Sequence, residues 1–109
     1  MKTPVLRVIV LGGRNQDGQS LTSVEGFIFH EERWIELPPM NFPRSFAASA
    51  LVDDQIVVSG GDTSATLTDA IETLNLDATP LQWIISDATL PVPLSGHKTV
   101  VYQGKLITI

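Results

Sequence analysis

One pattern returns along this chain at intervals of 47 to 50 residues, and it restricts the fold more than any other feature. Gly12-Gly13 comes back as Gly60-Gly61, and Val24-Glu25-Gly26-Phe27 as Ile71-Glu72-Thr73-Leu74. Trp34 comes back as Trp83, and Gln55-Ile56-Val57-Val58 as Lys105-Leu106-Ile107-Thr108. The offsets drift only where a connecting bend changes length. That behaviour marks a structural unit repeated in space, which buries its faces by stacking on neighbouring units.

The unit is clearest from Pro43 to Gly61, PRSFAASALVDDQIVVSGG. Two short apolar runs, Ala47–Val52 and Ile56–Val58, flank the acidic pair Asp53-Asp54 and read as strand, turn and strand. The glycine pair then lets the backbone adopt positive φ and leave the sheet sharply. Further strands are expected at Leu6–Leu11, Ser23–Phe29 and around Trp34–Leu37. Others are expected at Ala70–Leu76, Gln82–Ile85, Leu94–Val101 and Lys105–Ile109. The sequence predicts an all-β chain of short antiparallel strands.

A period near 50 with four short strands, a glycine pair after the second and a tryptophan on the fourth resembles the kelch repeat, one blade of a β-propeller. The resemblance covers nearly the whole chain. It implies one complete blade at 43–87, with strands Ser45–Leu51, Gln55–Ser59, Ala70–Leu76 and Gln82–Ile85. A partial blade at 5–42 supplies strands two to four, and another at 93–109 supplies strands one and two. In the third copy Leu94 stands where the second has Arg44. On this resemblance Gly12, Gly13, Gly60 and Gly61 shape the turns, Trp34 and Trp83 fill space between diverging blades, and Arg44 hydrogen-bonds carbonyls where the blade begins. Ala47, Ala48 and Ala50 suit the crowded inner strand. A propeller has typically 4–8 blades, so the resemblance implies a fragment of a longer kelch protein, with open blade edges able to self-associate.

Composition narrows the chemistry. The net charge is −5, with 7 Lys and Arg, which leaves no basic footprint for nucleic acid or an anionic membrane. No apolar run approaches the roughly 20 residues of a membrane-spanning helix. The absence of cysteine removes disulfides and thiolate sites and suits a reducing, cytoplasmic compartment. Gly13–Ser20, GRNQDGQS, follows a strand and matches a phosphate loop except that Gln19 replaces the lysine and Asp17 adds a negative charge. A turn between strands is the better reading. His30 and His97 lack metal-ligand spacing, and His97 falls on an inner strand at the position of Ala47. Ser95, His97 and the aspartates form no nucleophile elbow. Asp53-Asp54 and Glu31-Glu32 are adjacent pairs whose side chains diverge into solvent. No catalytic residue, metal or cofactor is expected.

The resemblance points instead to a binding face. In adaptor-type kelch propellers, loops after the glycine pair and loops leading into the innermost strand gather around the central channel and bind a protein or peptide. By position the first group is Arg14, Asn15 and Gln16, then Asp62, Thr63 and Ser64. The second is Ser45 and Phe46, with Ser95 and Gly96 in the third copy. Arg14 would favour an acidic motif, and Phe46 would be an apolar anchor. A substrate adaptor for ubiquitin ligation is the first reading. A cytoskeletal, actin-binding kelch scaffold is an alternative, as is a piece of a propeller enzyme such as a copper oxidase or sugar epimerase.

Overall fold

The computed structural model describes residues 8–96, 99–102 and 105–108. Among them the regular elements are strands, apart from a single 3-10 turn at Phe29–Glu31. The first sheet is β1 (Val8–Leu11), β2 (Val24–Ile28) and β3 (Arg33–Leu37). The second is β4 (Ala48–Val52), β5 (Gln55–Ser59), β6 (Ala70–Asn75) and β7 (Trp83–Thr89). A two-stranded ladder, β8 (Thr99–Tyr102) with β9 (Lys105–Thr108), follows. Every pairing is antiparallel and every sheet runs in sequence order. The chain is all-β.

Several boundaries differ from the sequence expectation for local reasons. β4 begins at Ala48 rather than Ser45, because Phe46 takes a left-handed φ of 58° and interrupts the ladder. Ser45 still pairs with Asp62, but as an isolated bridge. β6 stops at Asn75, whose side chain accepts a hydrogen bond from the Asp77 backbone N–H and turns the chain. β7 runs on to Thr89, past both Ile85 and the expected blade limit at residue 87, after a register shift opposite Ala70–Glu72. Asp53 and Asp54 both have positive φ, the conformation of a tight two-residue hairpin.

The repeat is written into the backbone as well as the sequence. Gly12 N–H bonds the Ser23 carbonyl at 2.9 Å, and Gly60 N–H bonds the equivalent Ala70 carbonyl at 3.1 Å. Leu21 to Gly13 (2.9 Å) matches Thr68 to Gly61 (3.0 Å), and Met40 to Thr22 matches Leu90 to Asp69, both 2.9 Å. Gly13 N–H reaches the Arg44 carbonyl at 2.7 Å, and Gly61 N–H reaches the Leu94 carbonyl, also at 2.7 Å. These last two bonds tie each unit to the next. Glycine is required at this junction. A Cβ on Gly12 would lie 2.2 Å from the Arg44 carbonyl oxygen, and one on Gly61 would lie 2.9 Å from that of Ser45.

Alternation along the strands gives each sheet two faces. Ile9, Leu11, Val24, Ile35 and Leu37 turn one face of the first sheet inward. They meet Ile56, Val58, Leu74 and Trp83 of the second, with Met40, Leu76 and Leu81 closing the layer. Val58 and Leu74 are wholly buried, and each such side chain contributes about 1.5–3 kcal/mol of transfer free energy. Trp83 is 4% exposed and donates its indole N–H to the Pro38 carbonyl at 2.7 Å. Trp34, at the equivalent position of the repeat, is placed differently. It is 50% exposed on the opposite face of the first sheet, beside Val8 and Val10, and among the described aromatics its ring contacts Phe27. Among the described residues, nothing covers the face of the first sheet that corresponds to the one burying Trp83 in the second.

The core between the sheets is closed by a buried ion pair. Arg44 and Glu72 have fully buried side chains. Arg44 donates Nε and Nη2 to Glu72 Oε2 at 3.2 and 2.9 Å, and Nη1 to the carbonyls of Gly60 and Ala70 at 2.7 and 2.9 Å. Glu72 also accepts the backbone N–H groups of Asn41 (2.7 Å) and Phe42 (3.3 Å). Thus one carboxylate clamps the linker from the first sheet onto the second. Such pairs stabilise only when the remaining donors and acceptors find partners, and here the Gly60 and Ala70 carbonyls and the Asn41 and Phe42 amides supply them.

Candidate functional site

Three loops converge beyond the ends of β1, β5 and the segment leading into β4. The first, Arg14–Ser20, is a self-capped turn. Asn15 Oδ1 accepts the N–H groups of Asp17 and Gln19 at 3.0 and 2.9 Å, and its amide reaches Gln19 Oε1. A β-strand, not a helix, follows at Val24, so the glycine-containing turn is not built as a phosphate loop. The second loop, Asp62–Thr66, is held by Asp62 Oδ1 on the Ser64 N–H and by Thr63 Oγ1 on the Thr66 carbonyl. The third is Ser45-Phe46.

Ser20 binds the loops together. Its N–H donates to Ser64 Oγ at 2.6 Å, its hydroxyl to the Asp62 carbonyl at 2.7 Å, and that hydroxyl lies 3.0 Å from Ser45 Oγ. Arg14 spans the junction, with Nη2 3.4 Å from Ser45 Oγ and 3.5 Å from Asp62 Oδ2. The same guanidinium lies 5.1 Å over the Phe46 ring. Arg14 and Asp62 are both partly open to solvent, so their pair contributes about 1 kcal/mol or less. Phe46 is 62% exposed although its backbone is left-handed. Its carbonyl accepts the Gly96 N–H at 2.8 Å, which brings Ser95 and Gly96 to the same place.

Of the residues singled out in the sequence, Arg14, Ser45, Phe46, Asp62 and Ser64 therefore form one cluster. Ser45 is buried within it, and Thr63 and Asn15 spend their side chains on their own turns. Gln16 is exposed at the tip of the first loop and Ser95 at the rim. Sequence reasoning missed Ser20, which the repeat aligns with Leu67, so no recurrence could have marked it. It also missed Glu72 as the partner of Arg44, although glutamate recurs at 25 and 72.

The cluster offers a flat cation stacked on an aromatic ring, flanked by hydroxyls and one carboxylate. That set can recognise a carboxylate next to an apolar group. Among the described residues no group of three His, Cys, Asp or Glu side chains could hold a metal ion, and no helix is long and apolar enough to cross a membrane. His30 lies beside Glu31 at 3.5 Å on the surface, and His97 is outside the described residues. No protein-family model matches the chain.

Proposed function

We propose that this chain is a kelch-type β-propeller segment that recognises a protein or peptide through the loop face around Arg14 and Phe46, without catalysis. A substrate-adaptor role in ubiquitin ligation is the member of that class we favour, and a cytoplasmic location is in keeping with the absence of cysteine. The 47-to-50-residue repeat, its matching hydrogen bonds and the sequential order of the four-stranded sheet support the blade reading. The observation that carries the binding reading is Phe46. An aromatic side chain with positive φ costs on the order of 1 kcal/mol or more, and this one is also left in solvent. The left-handed turn recurs at the equivalent Gly96, with φ of 70°, and belongs to the junction between units. The occupation of that turn by an exposed aromatic ring, rather than by glycine, is what an anchor for a partner accounts for.

The test is a random-peptide selection against the chain, with the selected peptides titrated against Arg14→Ala, Phe46→Gly and, as a control remote from the face, Asp53→Asn. Peptides pairing an acidic with an apolar residue are expected, with affinity lost in the first two variants and kept in the third. Phe46→Gly removes the backbone strain and is expected to raise stability by about 1 kcal/mol while abolishing binding. Selected peptides that bind all variants equally would refute the proposal.

A further inference from the structure

The first and second sheets have equivalent frameworks, but among the described residues only the second has the face that carries Glu72 filled. There, a Pro-rich linker lies across the face: the Trp83 indole N–H takes the Pro38 carbonyl, and Glu72 takes the Asn41 and Phe42 amides and the Arg44 guanidinium. The Arg44 Nη1 donors are absorbed by the carbonyls of Gly60 and Ala70. In the first sheet each receiving group has its counterpart. Glu25 opposes Val10 as Glu72 opposes Val58, and Trp34 opposes Phe27 as Trp83 opposes Leu74. Gly12 and Gly13, with φ of 62° and 97°, copy Gly60 and Gly61 at 67° and 101°, so the carbonyls of Gly12 and Ser23 take the places of those of Gly60 and Ala70.

What differs is the occupant. Val10, Glu25 and Trp34 line an open hollow of about 310 Å³, and a second of about 270 Å³ shares Glu25 and includes Thr22, Ser23 and Glu36. Among the described residues no cation pairs with Glu25, and the Trp34 indole N–H has no acceptor.

We infer that this face is a binding site for an arginine-bearing, proline-containing extended segment. Its guanidinium would seat on Glu25 and the Gly12 and Ser23 carbonyls, and a backbone carbonyl six residues earlier would accept the Trp34 indole N–H. Charge complementarity favours this occupant, since two carboxylates, Glu25 and Glu36, sit on an otherwise apolar face. Geometry favours it further, because residues 38–44 of the same chain fill the equivalent face in this way. The inference is independent of the loop face around Arg14.

The probe is a blocked peptide of sequence LPPMNFPRS, taken from residues 37–45, titrated into the full chain. Trp34 reports directly, because it is half exposed in the site while Trp83 is already buried. A saturable blue shift is expected. Binding should weaken about tenfold or more with Glu25→Gln or with norleucine in place of the peptide arginine, and far less with Glu36→Gln. The norleucine peptide leaves the protein untouched, so that comparison does not depend on how a variant folds. Absence of a saturable shift at low-millimolar peptide overturns the inference, as does equal binding of the norleucine peptide.

Discussion

Replacing Arg44 with methionine is the sharpest test of what holds the first sheet to the second. Methionine has similar length and no charge, so the substitution deletes the guanidinium with little loss of volume. Four hydrogen bonds go with it, two to Glu72 and two to the carbonyls of Gly60 and Ala70. The Glu72 carboxylate stays wholly buried, retaining only the Asn41 and Phe42 amides. Breaking a buried pair from one side costs about 3–5 kcal/mol, and the Gly60 carbonyl, left without its donor, adds to the upper part of that range. A domain of this size has a total stability of about 5–15 kcal/mol. The assay is urea unfolding followed by Trp83 fluorescence and circular dichroism. With a slope of about 1–1.5 kcal/mol per molar urea, a loss of 3 kcal/mol or so lowers the midpoint by about 2–3 M. Glu72→Gln alone should also destabilise strongly. The double variant R44M/E72Q, which leaves no charge stranded, should lose less than the sum of the singles by about 2–3 kcal/mol. A cost below about 1 kcal/mol for R44M, or additivity of the pair, would refute the account of Glu72 as a clamp that depends on Arg44.

Two further predictions follow the same logic. Gly12→Ala should destabilise by about 3 kcal/mol or more in a thermal melt, since its new methyl meets the Arg44 carbonyl, whereas Gly18→Ala, with positive φ but open space around it, should cost only about 1–2 kcal/mol. Trp83→Ala should cost about 3–5 kcal/mol and Trp34→Ala about 1 kcal/mol, although the repeat aligns the two residues; equal costs would mean that the uncovered face of the first sheet is covered in solution.

The strand order is legible in the sequence because apolar runs and turn signals alternate at lengths that suit only short antiparallel strands. The boundaries shift where a side chain or an unusual φ overrides the pattern, as at Phe46 and Asn75. The glycine pairs are recognisable as turn formers. Gly12 has a second role, admitting the Arg44 carbonyl of the next unit, which depends on a contact across 32 residues and leaves no local trace. The tryptophans show the limit of repeat reasoning. Alignment fixes which face a residue occupies, but burial depends on what lies opposite, and Trp34 and Trp83 have different neighbours. The loop cluster is legible in its members and not in its wiring, since Ser20 has no counterpart in the next unit.

Position 44 does two separable jobs. Its side chain fastens the linker inside the second sheet, while its carbonyl receives the Gly13 N–H from the first. Leu94, at the next equivalent position, keeps only the second job, taking the Gly61 N–H at the same 2.7 Å. The peptide bond between units is therefore indifferent to the residue at the junction, whereas the clamp on the linker between the first two sheets depends on that residue. A variant at 44 should consequently release the clamp while keeping the Gly13 N–H to carbonyl bond, so that the two sheets stay joined at one end and loosen at the other.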